Sequence, residues 1–84
     1  MQTIARTPKQ IGDALRRARK LKKLSQAELG EKTTLWQETI SKIEGGSDAT
    51  KIGTLCALLT ALDLELVIAQ RSKGSADEIV DIFS

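Results

Sequence analysis

Two short segments, each bounded by its own start and stop signals, constrain this chain more than any other feature. Ser25 stands before a run of helix formers with Glu28 three residues on. In that pattern a serine side chain and a glutamate side chain each satisfy a backbone N–H at a helix start. The run lasts only from Gln26 to Lys32 before Thr33-Thr34-Leu35 interrupts it, because threonine is a weak helix former and a good turn residue. A second run, from Trp36 or Gln37 to Glu44, turns Ile40 and Ile43 inward and stops at Gly45-Gly46, as glycine stops helices. Helices this short are not stable alone in water, so flanking elements must supply the rest of the core.

The flanks do so. Thr7 reads as an N-cap with Pro8 at the first helical position. Ile11, Ala14, Leu15, Ala18 and then Leu21 or Leu24 recur at helical spacing, which predicts a first helix over about residues 8–22. After a Ser47-Asp48 loop, Thr50 reads as the next cap. Ile52 to Leu62 then forms a fourth helix burying Leu55, Leu58, Leu59 and Leu62, with Gly53 blurring its start. Cys56, among apolar neighbours and with no base beside it, reads as a core residue. Residues Leu64 to Gln70 change texture: they are rich in β-formers, with Leu64, Leu66 and Ile68 alternating on one face. The division expected is a domain over 1–71 and a flexible acidic-hydrophobic tail over 72–84. That tail sets Ile79, Val80, Ile82 and Phe83 beside Asp77, Glu78 and Asp81, and is either a solubilising end or a segment that folds against a partner.

Composition narrows the function classes. At 84 residues the chain holds one domain. It has no histidine, no glycine-rich phosphate loop and no paired acids in an evident cleft, so an enzyme, a metal site and a bound cofactor are not expected. A single cysteine cannot make an internal disulfide, which points to a reducing cytoplasm. No apolar run reaches membrane-spanning length. The net charge of +2 hides an asymmetry: residues 1–23 carry eight basic side chains against Asp13 alone, and the remainder carries five against ten acids. Such a concentration is either a solvated basic face or a footprint for a polyanion.

Two capped helices joined by a short turn form the unit that offers its second helix to a DNA major groove. The residues Leu24-Ser25-Gln26-Ala27-Glu28-Leu29 and Thr39-Ile40-Ser41-Lys42-Ile43-Glu44-Gly45-Gly46 resemble the phage-repressor (Cro/C1, or XRE) family of helix-turn-helix domains. The flanking helices extend the resemblance over residues 9–62. The family's small residue in the first motif helix is Gly30 here, its turn glycine is Thr34, and Trp36 stands where a small capping residue is usual. The resemblance implies an all-α, four- to five-helix, lambda-repressor-like domain. It makes Gln37, Glu38, Ser41 and Lys42 the base-reading residues, on the outward face of the second helix. The chemistry fits: glutamine can bond adenine N6 and N7, glutamate can accept from cytosine N4, and lysine can donate to guanine. Ser25, Gln26, Trp36, Thr39 and Lys51 are the candidates for DNA-backbone contact, Gln26 with help from its helix dipole. Trp36 either packs against the turn or touches a thymine methyl or sugar edge. In the family an arginine late in the first helix pairs with the acid that ends the recognition helix, so Arg19 and Glu44 read as a structural clamp. Arg16, Arg17, Lys20, Lys22 and Lys23 remain as phosphate contacts or solvated surface.

The β-like stretch then asks for a partner, because one strand in a helical chain has nothing of its own to pair with. Unless it is a frayed extension of the fourth helix, the economical solution is the same strand of a second copy, with Leu64, Leu66, Val67 and Ile68 at the seam of a homodimer. Such a dimer would place two reading helices ~34–36 Å apart on an inverted repeat. Helix four, this strand and a polar tail in that order are similar to HipB-type antitoxins, whose partner is a HipA-type serine/threonine kinase toxin. That similarity implies a cytoplasmic, nucleoid-associated repressor that restrains a kinase and represses its own operon. The alternatives are a stand-alone regulator with the same DNA chemistry, and a helical protein-binding adaptor.

Overall fold

The computed structural model describes residues 3–71, which form four helices and, among the described residues, no strand. They are α1 (Pro8–Leu21), α2 (Gln26–Thr33), α3 (Gln37–Glu44) and α4 (Ile52–Ala61). α1 opens with Thr7 Oγ1 accepting the Gln10 N–H at 3.1 Å. α2 opens with the full reciprocal cap: Glu28 N donates to Ser25 Oγ at 3.0 Å and Ser25 N donates to Glu28 Oε1 at 2.9 Å. α3 and α4 have no side-chain cap; Trp36 and Lys51 occupy those positions in extended backbone. The cap expected at Thr50 therefore moves one residue on, to a lysine whose carbonyl accepts the first helical bond from Leu55 N.

Every helix ends by swinging one residue into the left-handed region, and only one of the four is glycine. Lys23 (φ 58°) follows α1, Thr34 (φ 58°) α2, Gly46 (φ 97°) α3 and Asp63 (φ 60°) α4. At three of these ends the next two N–H groups fold back onto the last turn. Lys23 N donates to Lys20 O and Leu24 N to Arg19 O; Gly46 N donates to Ile43 O and Ser47 N to Lys42 O; Asp63 N donates to Thr60 O and Leu64 N to Leu59 O. This pairing satisfies carbonyls that a helix end would otherwise leave bare. It also reverses the chain, which decides an ambiguity in the sequence: Leu21 is 67% exposed, whereas Leu24 comes back to pack on the core.

Leu15, Ala18, Leu29, Ile40, Ile43, Leu58 and Leu62 form the core, with Ile11, Leu24, Leu35, Leu55, Leu59 and Leu64 partly buried around it. α3 lies between α1 and α2, and α2 also packs on α4. Gly12 sets how closely α1 crosses the end of α3. A methyl built on it would sit against Ile43 O and 2.7 Å from Glu44 O, so only glycine fits.

Two expectations about the C-terminal half change. Cys56 is exposed, not in the core. α4 is apolar on nearly all sides, so its sequence does not mark an inner face; Leu58 and Leu62 turn inward, and Ile52, Gly53, Cys56 and Ala57 are left outside. Residues 64–71 run on without forming a strand in the single chain. Leu64 packs on the core, and Leu66, Val67 and Ile68 are 58%, 68% and 93% exposed. The tail expected over residues 72–84 lies outside the described residues. No helix among those described is long and apolar enough to cross a membrane.

Candidate nucleic-acid interface

α3 has two faces because its sequence has two chemistries. Ile40 and Ile43 are buried, and Gln37, Glu38, Ser41 and Lys42 are exposed. Helical geometry groups positions i, i+1, i+4 and i+5 on one side, so these four polar side chains form a single outward patch over two turns. Trp36 adjoins it and is 82% exposed, so it does not pack against the turn. Thr39 is half-buried on the flank of the helix. Ser25 is exposed, with its hydroxyl engaged in the α2 cap, and Lys51 is exposed just before α4.

The rear of α3 is held by an ionic network. Arg19 Nε donates to Glu44 Oε2 at 2.7 Å and Arg19 Nη2 donates to Glu44 Oε1 at 2.9 Å, a two-pronged pair with both side chains buried. Arg19 Nη1 donates to Leu24 O at 2.8 Å, which ties the pair to the turn before α2. A third donor completes the set: Gln26 Nε2 reaches Glu44 Oε1 at 3.2 Å. Among the described residues no buried side-chain polar atom lacks a hydrogen-bond partner. Burial pushes the Glu44 carboxyl up, but hydrogen bonds from Arg19 and Gln26, with the charges of Arg19 and Arg16, hold it below the usual carboxylate range. The bond to Glu44 outweighs desolvation at Arg19 and raises the guanidinium's pKa.

Gln26 is the residue whose surroundings the sequence did not reveal. The sequence makes it a phosphate ligand; in the structure its side chain is half-buried and its amide nitrogen donates to Glu44. With Glu28 N capped by Ser25, the backbone N–H groups of Gln26 and Ala27 are the first-turn donors left at the start of α2, a position where anions bind. Gly12 was missed altogether. The available signal was a glycine inside an otherwise periodic helix, which often marks close backbone approach.

Comparison with known proteins places this geometry. The chain is 43% identical over 61 residues to the HTH-type transcriptional regulator y4dL of Sinorhizobium fredii, an alignment covering 73% of this chain and 31% of that protein. The chain thus spans about a third of that relative's length. Among solved structures, a HipB variant in its O2 20mer complex superposes with a TM-score of 0.77 at 30% identity, covering 86% of this chain and 99% of that one. HipB in the HipA-HipB-O2-O3 complex gives 0.76 at 29% identity, covering 86% and 100%. The family model described as Helix-turn-helix matches residues 15–68, which include the capped pair, the buried Arg19–Glu44 clamp and the exposed face of α3. This chain belongs to the helix-turn-helix family, of the Cro/C1 (XRE) type.

Proposed function

We propose that this chain is a sequence-specific DNA-binding repressor. In this reading it acts as a homodimer on inverted-repeat DNA and serves as the antitoxin of a HipA-type kinase, repressing its own operon. The observation that carries the DNA reading is the outward patch of Gln37, Glu38, Ser41 and Lys42 on a helix fixed from behind by Arg19 and Glu44. Donors and acceptors presented on a rigid helix are what base-edge discrimination requires. Ser25, Gln26, Thr39 and Lys51 then serve as backbone contacts that set register. The antitoxin reading is supported by the likeness to HipB over 86% of this chain, where the solved complexes include HipA. The homodimer reading is supported by Leu66, Val67 and Ile68, which lie exposed along an unpaired stretch of backbone. The alternative is a stand-alone regulator with the same DNA chemistry; the likeness to y4dL, an HTH-type transcriptional regulator, supports the regulator role that both readings share.

Binding to duplexes selected from a randomised library, measured over a salt series, tests the DNA reading. A steep fall in affinity with salt and a clear sequence preference are expected; a flat response without preference would leave only a protein adaptor. Gln37→Ala should relax one operator position, and Gln26→Ala should weaken all sequences alike. Removing residues 65–84, which keeps Leu64 on the core, should give monomers by light scattering; a persistent dimer would refute the strand seam. Co-purification of a kinase-like protein encoded beside this chain would separate antitoxin from stand-alone regulator.

A further inference from the structure

Trp36 is the single aromatic side chain among the described residues, and the fold holds it in water. Its backbone is extended (φ −69°, ψ 143°), and its side chain is 82% exposed. Leu35 packs on the core while the neighbouring indole is left outside it. Trp36 occupies the N-cap position of α3 and makes no capping bond, so helix formation does not account for it. It adjoins the polar patch that begins at Gln37, at the end of the helix from which side chains reach base edges. The four patch residues recognise hydrogen-bond donors and acceptors. None offers a broad apolar surface, and the indole supplies one.

Resting on the DNA-binding reading above, we infer that Trp36 is a specificity-determining residue. It holds a pyrimidine C5-methyl group, that of thymine or of 5-methylcytosine, at an operator position beside the one facing Gln37. Apolar contact with that methyl is the major-groove feature that separates thymine from cytosine without hydrogen bonds. Cytosine and uracil leave the same face of the indole against nothing. The ring also carries an N–H donor that can reach a phosphate, but such a bond carries no base preference.

The test uses the full-length chain and duplexes it selects from a randomised library, first with thymine throughout. Salt-dependent, sequence-preferring binding at this stage tests the DNA reading by itself; its failure would remove both readings. Each thymine is then replaced singly by uracil, which deletes only the methyl. At least one position should weaken binding threefold or more. The expectation is about fourfold, one buried methyl's transfer free energy of ~0.8 kcal/mol converted at 1.4 kcal/mol per tenfold. Trp36→Ala should abolish that penalty, and circular dichroism should show its fold unchanged because the side chain is exposed. With the native chain, 5-methylcytosine at the same position should bind at least threefold better than cytosine. Binding that survives with no uracil-sensitive position, or with a penalty that persists in Trp36→Ala, overturns the assignment to Trp36 and leaves the DNA reading standing.

Discussion

Replacing Arg19 by methionine should cost this domain a large part of its stability, for a reason that can be worked through atom by atom. Glu44 is buried and accepts three hydrogen bonds, two from Arg19 and one from Gln26. Arg19→Met removes the two charged donors and leaves a buried carboxylate with one neutral partner at 3.2 Å. Leu24 O loses its guanidinium donor as well. Breaking one side of a buried ion pair typically costs about 3–5 kcal/mol. Against a total stability of about 5–15 kcal/mol that is roughly a fifth or more, and for a domain of this size it lowers the melting temperature by roughly 12–40 °C. Replacing both members, Arg19→Met with Glu44→Leu, removes the stranded charge along with its partner. The double variant should therefore be more stable than Arg19→Met alone, with a coupling of about 2 kcal/mol or more. Urea unfolding at neutral pH followed by far-ultraviolet circular dichroism measures all four corners of the cycle. Single changes costing under about 1 kcal/mol each, and adding in the double variant, would refute the clamp's energetic role.

Other outcomes follow from local geometry. Gly12→Ala pushes a methyl into the backbone carbonyls of Ile43 and Glu44 and should cost about 3 kcal/mol, read as a lower melting temperature; an unchanged melt would disprove the close crossing. Thr34→Gly relieves a left-handed threonine and should stabilise by roughly 0.5–1 kcal/mol in calorimetry, provided the loss of its hydroxyl bond to Thr33 O is small. Acid should act partly through Glu44. Its folded pKa is depressed, so its contribution is present above the unfolded carboxylate value of about 4.3 and is lost as pH falls through the lower folded value. Urea midpoints of the native chain should thus fall steeply below about pH 4.5, and those of Glu44→Gln should start lower and fall less; equal slopes would remove Glu44 from the acid response.

The motif was legible because it is written in local rules. Ser25 and Glu28 announce a helix start, Gly45 and Gly46 a helix end, and the spacing of Ile40 and Ile43 separates the two faces of α3. What escaped prediction depends on contacts distant in sequence or on backbone states without a residue signature. Lys23, Thr34 and Asp63 adopt a conformation that glycine would have advertised, so the turn that returns Leu24 to the core could not be read. Gln26 and Glu44 are 18 residues apart, and nothing in either neighbourhood points to the other. Cys56 misled for the opposite reason: an evenly apolar helix has no period from which to choose its inner face.

The crossing at Gly12 has a mechanical consequence. α1 presses on the carbonyls at the rear of α3, and Arg19 grips its last side chain, so the helix cannot slide or tilt without breaking both contacts. A helix anchored by its back end is a rigid template, and shape adjustment on docking then falls to its partner. For a duplex, that means bending or groove compression whose cost depends on base steps the protein never touches. In the proposed dimer, two copies joined along Leu66 to Ile68 would accordingly sense the flexibility of the spacer between half-sites as well as the letters within them.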